Sequence, residues 1–101
     1  MSLAEYRTSD AVDVSLVDPL ASRLVHLLEL FGGRLLVVSG RRSYAEQLVL
    51  WNRYVAGGNL AARPGTSLHE RGAAADLRIV DDAVAWRDVH AIANTYGLHF
   101  P

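Results

Sequence analysis

Seven positions separate His69 from Asp76 in PGTSLHERGAAADL (64–77), and a glycine and three alanines fill most of the gap. A continuous strand would hold those two side chains ~23 Å apart. A helix would place them ~10 Å apart, two turns removed on roughly one face. Two ligands of a single zinc ion lie far closer, since zinc–nitrogen and zinc–carboxylate bonds are both about 2 Å. If the pair is to meet, the chain must bend between them, and Gly72 is the residue that tolerates the positive φ of such a bend. A strand starting at Gly72 would then turn Gly72, Ala74 and Asp76 to one side, with Ala73, Ala75 and Leu77 on the other. On the pair alone, a loop histidine beside a surface carboxylate is the favoured reading. A thermolysin-like zinc helix is excluded, because H-E-x-x-H requires histidine where Ala73 stands.

The absence of cysteine excludes disulfide staples, thiolate metal sites and thiol nucleophiles together. Any metal must therefore be held by His, Asp or Glu. The net charge of −1 leaves no electrostatic footprint for nucleic acid or an anionic membrane, so neither is expected as a partner. All 10 basic residues are arginine, which reads as codon bias, or as a surface suited to carboxylate contacts. No basic segment followed by an apolar run opens the chain, so no secretory signal is expected. No apolar stretch approaches the ~20 residues of a membrane span.

Hydrophobic patterning points to an α+β domain with about three helices packed on a small antiparallel sheet, in a single unit over 1–101. Alternation of Val12, Val14 and Leu16 suggests a strand over 11–17. A helix follows, with Asp18 as cap, Pro19 in the first turn, a stripe of Leu20, Leu24, Leu27, Leu28 and Phe31, and a stop at Gly32. RLLVVSG (34–40) reads as a buried strand. Ser43 and Glu46 form a capping box for a second helix with the stripe Leu48, Trp51 and Val55, ended by Gly57. NLAARPGTS reads as loop, GAAADLRIV (72–80) as strand, and 81–97 as a third helix capped by Asp81 or Asp82 and stopped at Gly97. His26 and His90 fall inside helices, where packing or solvent exposure is the expected role.

Beyond these local patterns, SLHERGAAAD resembles the S-x-H-x-x-G-x-A-x-D signature of the VanY-type zinc D-alanyl-D-alanine carboxypeptidases and related phage endolysins. SGRRSYAEQ (39–47) is similar to that family's S-G-Y-R-S-x-x-x-Q segment, and YGLHFP to the run before its last motif. The resemblance spans the chain from about Asp18 onward and implies a hedgehog/DD-peptidase-like fold. It also implies a zinc peptidase acting on the peptidoglycan stem peptide at the bacterial cell wall, delivered by a virion or a holin, with other virion or lysis proteins as partners. Carried over, the resemblance makes His69 and Asp76 the first two zinc ligands. Arg42 becomes the catalytic, substrate-orienting guanidinium, and Gln47 and Ser67 become groups that face the peptide.

Two departures stand out. Arg41 replaces the family's usual aromatic, which alters a wall of the binding groove. The closing E-x-W-H, which supplies base and third ligand, is not found by Pro101. The expectation is a truncated domain that binds zinc weakly and hydrolyses little. His99 is the one candidate for a third ligand. Glu70, adjacent to His69, would point away in an extended chain and is not assigned as base. A catalytically incomplete wall-binding or virion module that kept the fold is the rival expectation.

Overall fold

A computed structural model describes residues 2–100. Helix α1 spans Leu20–Phe31 and carries the stripe its periodicity predicts: Leu24, Leu27, Leu28 and Phe31 are buried. Its first turn is tied by the Asp18 carboxylate, which accepts from the Ser22 backbone N–H at 3.0 Å. It ends at Gly32, whose φ of 56° lets its N–H turn back onto the carbonyls of Leu28 and Glu29.

Strand β1 (Leu35–Ser39) follows at once and pairs antiparallel with β2 (Asp76–Ile79). The register sets Leu35 opposite Ile79 and Ser39 opposite Asp76, with an irregularity between Val37 and Ser39. Leu35 and Val37 point into the core beside α1, and helix α3 (Trp86–Thr95) adds Val89 and Ala93. A 3-10 turn at Leu3–Tyr6 closes one side with Leu3 and Tyr6. Three helices on a two-stranded antiparallel sheet make the α+β class expected from the sequence. No helix among the described residues is long and apolar enough to cross a membrane.

Four local expectations are corrected. The 11–17 segment is irregular and joins no ladder. Its alternation survives as packing, with Val12, Val14 and Leu16 against the core, while its backbone bonds to loops: Arg41 N–H to Asp13 O at 2.8 Å and Val17 N–H to Gly72 O at 2.9 Å. Strand β2 begins at Asp76, not Gly72, because Gly72 terminates a 3-10 turn, Leu68–Arg71, in the left-handed region at φ 69°. The parity that would line up Gly72, Ala74 and Asp76 therefore does not apply. Helix α3 starts at Trp86. Asp81 caps a preceding turn instead, accepting from the Ala83 N–H at 2.9 Å.

The fourth correction concerns helix α2 (Tyr44–Val55). Its capping box is present, with the Glu46 N–H on Ser43 Oγ at 3.1 Å and the Ser43 N–H on Glu46 Oε1 at 3.0 Å. Its buried residue, however, is Gln47, while Leu48 and Val55 are 39% and 67% exposed. A polar anchor, not the apolar stripe, turns this helix toward the protein.

The contrast is measurable. Leu28→Ala removes a fully buried side chain and should cost ~3 kcal/mol in urea unfolding. Leu48→Ala should cost less than ~1 kcal/mol. Equal costs would mean that α2 buries its apolar stripe after all.

Candidate metal and peptide site

The site grows from the loop that follows β1. Gly40 passes so close to the 11–17 segment that a Cβ there would collide with the Asp13 carbonyl oxygen. The turn is thereby pressed inward, and its Gly40 carbonyl meets the His69 ring, Nδ1 to oxygen at 2.7 Å. The return contact is main-chain: the Arg42 N–H donates to His69 O at 3.0 Å. Two bonds thus fasten the His69 turn to the end of β1.

On the other side of His69, Ser67 caps the same turn, its Oγ accepting the His69 N–H at 3.2 Å. Glu70 reaches back to the Gly65 N–H, at 2.9 and 3.0 Å from its two carboxylate oxygens, and so closes the 65–70 loop. Its carboxylate serves the loop and is not directed at the His69–Asp76 pair.

Because a carbonyl only accepts, the Gly40 contact requires a proton on His69 Nδ1. In the neutral ring, Nε2 then carries the lone pair, the arrangement typical of a metal-binding histidine oriented by a backbone carbonyl. Nε2 faces Asp76 Oδ2 at 3.6 Å. The bend at Gly72 has therefore brought the pair together. Two ligand atoms on one tetrahedral zinc, each at about 2.0–2.2 Å, would stand about 3.4 Å apart, so the separation suits a shared cation.

Asp76 has a second partner. Arg42 Nη2 donates to the same Oδ2 at 2.9 Å, and its Nη1 donates to Gln47 Oε1 at 3.4 Å. The Asp76 carboxyl is held below the usual carboxylate range, first by the hydrogen bond His69 gives it when Nε2 also carries a proton and then by the Arg42 charge, against the opposing effect of burial. A depressed, ionised carboxylate is the form a metal ligand needs.

Gln47, expected to face a peptide, is only 1% exposed. Its amide N–H donates to Ala62 O at 2.9 Å while its oxygen holds Arg42. It thus ties α2 to the 56–66 loop and steadies the guanidinium. Ser67, also expected to contact peptide, is buried as the turn cap. His99 does not join the pair: among the described residues no group of three His, Cys, Asp or Glu side chains is placed to hold a metal ion. His90 packs on Phe100, ring centroids 4.5 Å apart, and His26 lies 6.2 Å from Tyr96.

Sequence reasoning did not single out Gly40 or the loop-closing role of Glu70. The Ser-Gly after the β1 run marked a turn there, but the use of its carbonyl depends on a contact 29 residues away.

Two clefts meet at His69 and Asp76. One, about 830 Å³, runs over Ala73, Ala74 and Leu77 toward Trp86, His90 and Phe100. The other, about 860 Å³, runs between α2 and the 56–62 loop, past Arg42, Arg53 and Asn59. The fold and site define a small α+β domain with a carbonyl-oriented histidine and a carboxylate at the junction of two grooves. The sequence model of the VanY family, described as D-alanyl-D-alanine carboxypeptidase, matches residues 15–100. The chain belongs to that family, whose members are peptidases of the cell-wall peptide. Comparison with the curated proteins gives no match.

Two tests follow from this geometry. Long-range proton–nitrogen spectra of the neutral His69 imidazole should show the proton on Nδ1, and a proton on Nε2 would contradict the Gly40 contact. Gly40→Ala should destabilise the fold by about 2 kcal/mol or more in urea unfolding, because Asp13 must move. A change near zero would mean that the 11–17 segment does not press on the turn.

Proposed function

We propose that the protein is a zinc-dependent peptidase of the peptidoglycan stem peptide, a D,D-carboxypeptidase or an endopeptidase acting at the bacterial cell wall. In this reading His69 and Asp76 hold the ion, and Arg42 orients the peptide. Delivery to the wall by a virion or through a holin, alongside other lysis proteins, belongs to the same reading and rests on the family resemblance alone.

One observation carries the zinc assignment. With the His69 Nδ1 proton committed to Gly40, the Nε2 lone pair faces a carboxylate oxygen at 3.6 Å. Acceptor facing acceptor is unfavourable unless a positive species stands between them, a proton or a cation. A histidine and a carboxylate without thiols are hard-to-borderline ligands of the kind zinc takes.

When bound, a zinc ion supplies Lewis acidity, polarising a carbonyl and making water a better nucleophile. The residues themselves contribute orientation and charge. Gly40 fixes the His69 tautomer, and Gln47 holds one arm of the Arg42 guanidinium while the other is free to exchange Asp76 for a peptide oxygen. Ser67 contributes by holding the His69 turn, with its hydroxyl at the wall of the groove. The proposal assigns two ligands and no general base.

The rival reading is a domain that binds wall peptide without cutting it. The two separate cleanly by experiment. In a calorimetric titration, zinc should bind the wild type weakly and show no binding to His69→Ala or Asp76→Ala. Wild-type turnover of a muropeptide should be zinc-dependent. Peptide binding without turnover, undisturbed by His69→Ala, would favour the binding module. Variants that bind zinc as the wild type does would remove His69 and Asp76 from the metal site.

A further inference from the structure

The groove between α2 and the 56–62 loop has an unbalanced charge. Its charged lining comprises Arg42, Arg53 and Asp76, with no other carboxylate. Arg42 and Asp76 neutralise each other at 2.9 Å. Arg53, in the last turn of α2, has no ion-pair or hydrogen-bond partner for its guanidinium among the described residues, and it is exposed on the groove wall. Its backbone is fixed: the Arg53 carbonyl takes the Gly58 N–H at 2.7 Å, which sets the start of the loop that forms the facing wall. The rest of this lining is apolar or neutral, from Leu50 and Ala56 to Asn59 and Ala62.

The opposite groove differs in chemistry. Beyond the shared His69 and Asp76 it is dominated by aliphatic and aromatic side chains, with its charges, Asp18 and Arg23, on the α1 side. A peptide spanning the His69–Asp76 junction would therefore meet a cationic wall on one side and an apolar floor on the other. An unpaired guanidinium on a largely neutral wall is suited to bind a carboxylate through paired N–H donors.

We infer that Arg53 is a specificity residue that receives a free carboxylate of the bound peptide in the groove between α2 and the 56–62 loop. This rests on the peptide-site reading above and deepens it by setting the orientation of the ligand. The half whose carboxylate pairs with Arg53 lies along α2, and the other half lies over Ala73 and Ala74. Two sources of that carboxylate exist in a stem peptide: the C-terminus and the free carboxyl of its glutamyl residue.

The test is a titration of the full chain, followed by backbone amide NMR, with the pentapeptide Ala-γ-D-Glu-Lys-D-Ala-D-Ala. Two derivatives are compared, one amidated at the C-terminus and one amidated at the glutamyl carboxyl. Wild-type protein should bind one of the derivatives about fivefold more weakly than the parent, which identifies the carboxylate. Shifts should fall on 50–62. Arg53→Gln should bind the parent peptide about fivefold more weakly and lose the discrimination, while Arg53→Lys restores part of both. Raising the salt from 50 to 500 mM should weaken parent binding to the wild type more than to Arg53→Gln.

If Arg53→Gln binds all three peptides as the wild type does, or if the shifts are confined to the opposite groove and spare 50–62, the Arg53 assignment is wrong while the peptide site stands. If no peptide shifts any residue at either groove, the peptide-site reading falls, and this inference with it.

Discussion

A single carbonyl organises the site. Gly40 O accepts from His69 Nδ1 at 2.7 Å, and the neighbouring Arg42 N–H returns a bond to His69 O at 3.0 Å. Together they join the end of β1 to a turn that would otherwise be a surface loop, and they hold the imidazole by both its ring and its backbone. Each partner is itself confined. Gly40 is pressed by Asp13 and Gly72 by Ser15, both from the 11–17 segment, which thereby acts as a strap across the two loops. Neither glycine could carry a Cβ without displacing that strap. Precision at the site is thus a product of backbone packing several residues from the chemistry, which is how a metal ligand is usually held in a fixed direction.

Much of the framework was readable from residue order because its causes are local. The α1 stripe and its Gly32 stop, the capping box of α2 and the β-branched run of β1 each follow from residues within one or two turns. The spacing of His69 and Asp76 demanded a bend, and Gly72 adopts the left-handed conformation that makes it. What was not readable depends on distant partners. Alternation in 11–17 implies one apolar face but cannot say whether the backbone finds a neighbouring strand or two loops. The α2 stripe implies burial, yet Gln47 takes the inward position because Ala62 O and Arg42 wait there, 15 residues downstream and five upstream. A polar residue with two satisfied ends outweighs an apolar stripe with nothing to pack against.

The Arg42–Asp76 contact connects these levels. Both sides of the pair are partly accessible, 18% and 53% for the side chains, so its Coulomb energy is screened and its net worth is small. Its effect is on the charge state of the site. After the His69 imidazole, the Arg42 charge favours the ionised form of Asp76. In the proposed site, Arg42 would prepare the carboxylate for a cation and exchange it for a substrate oxygen once the cation takes over the neutralisation. An arginine fixed at one arm by Gln47 is suited to this, because only its other arm must move. The two grooves extend the same logic outward. Asp76 consumes the charge of Arg42, so a positively charged groove needs a further residue, and Arg53 is the cation on that wall with no internal anion. Charge along this groove is therefore divided between two arginines, one tied to Asp76 and one left open.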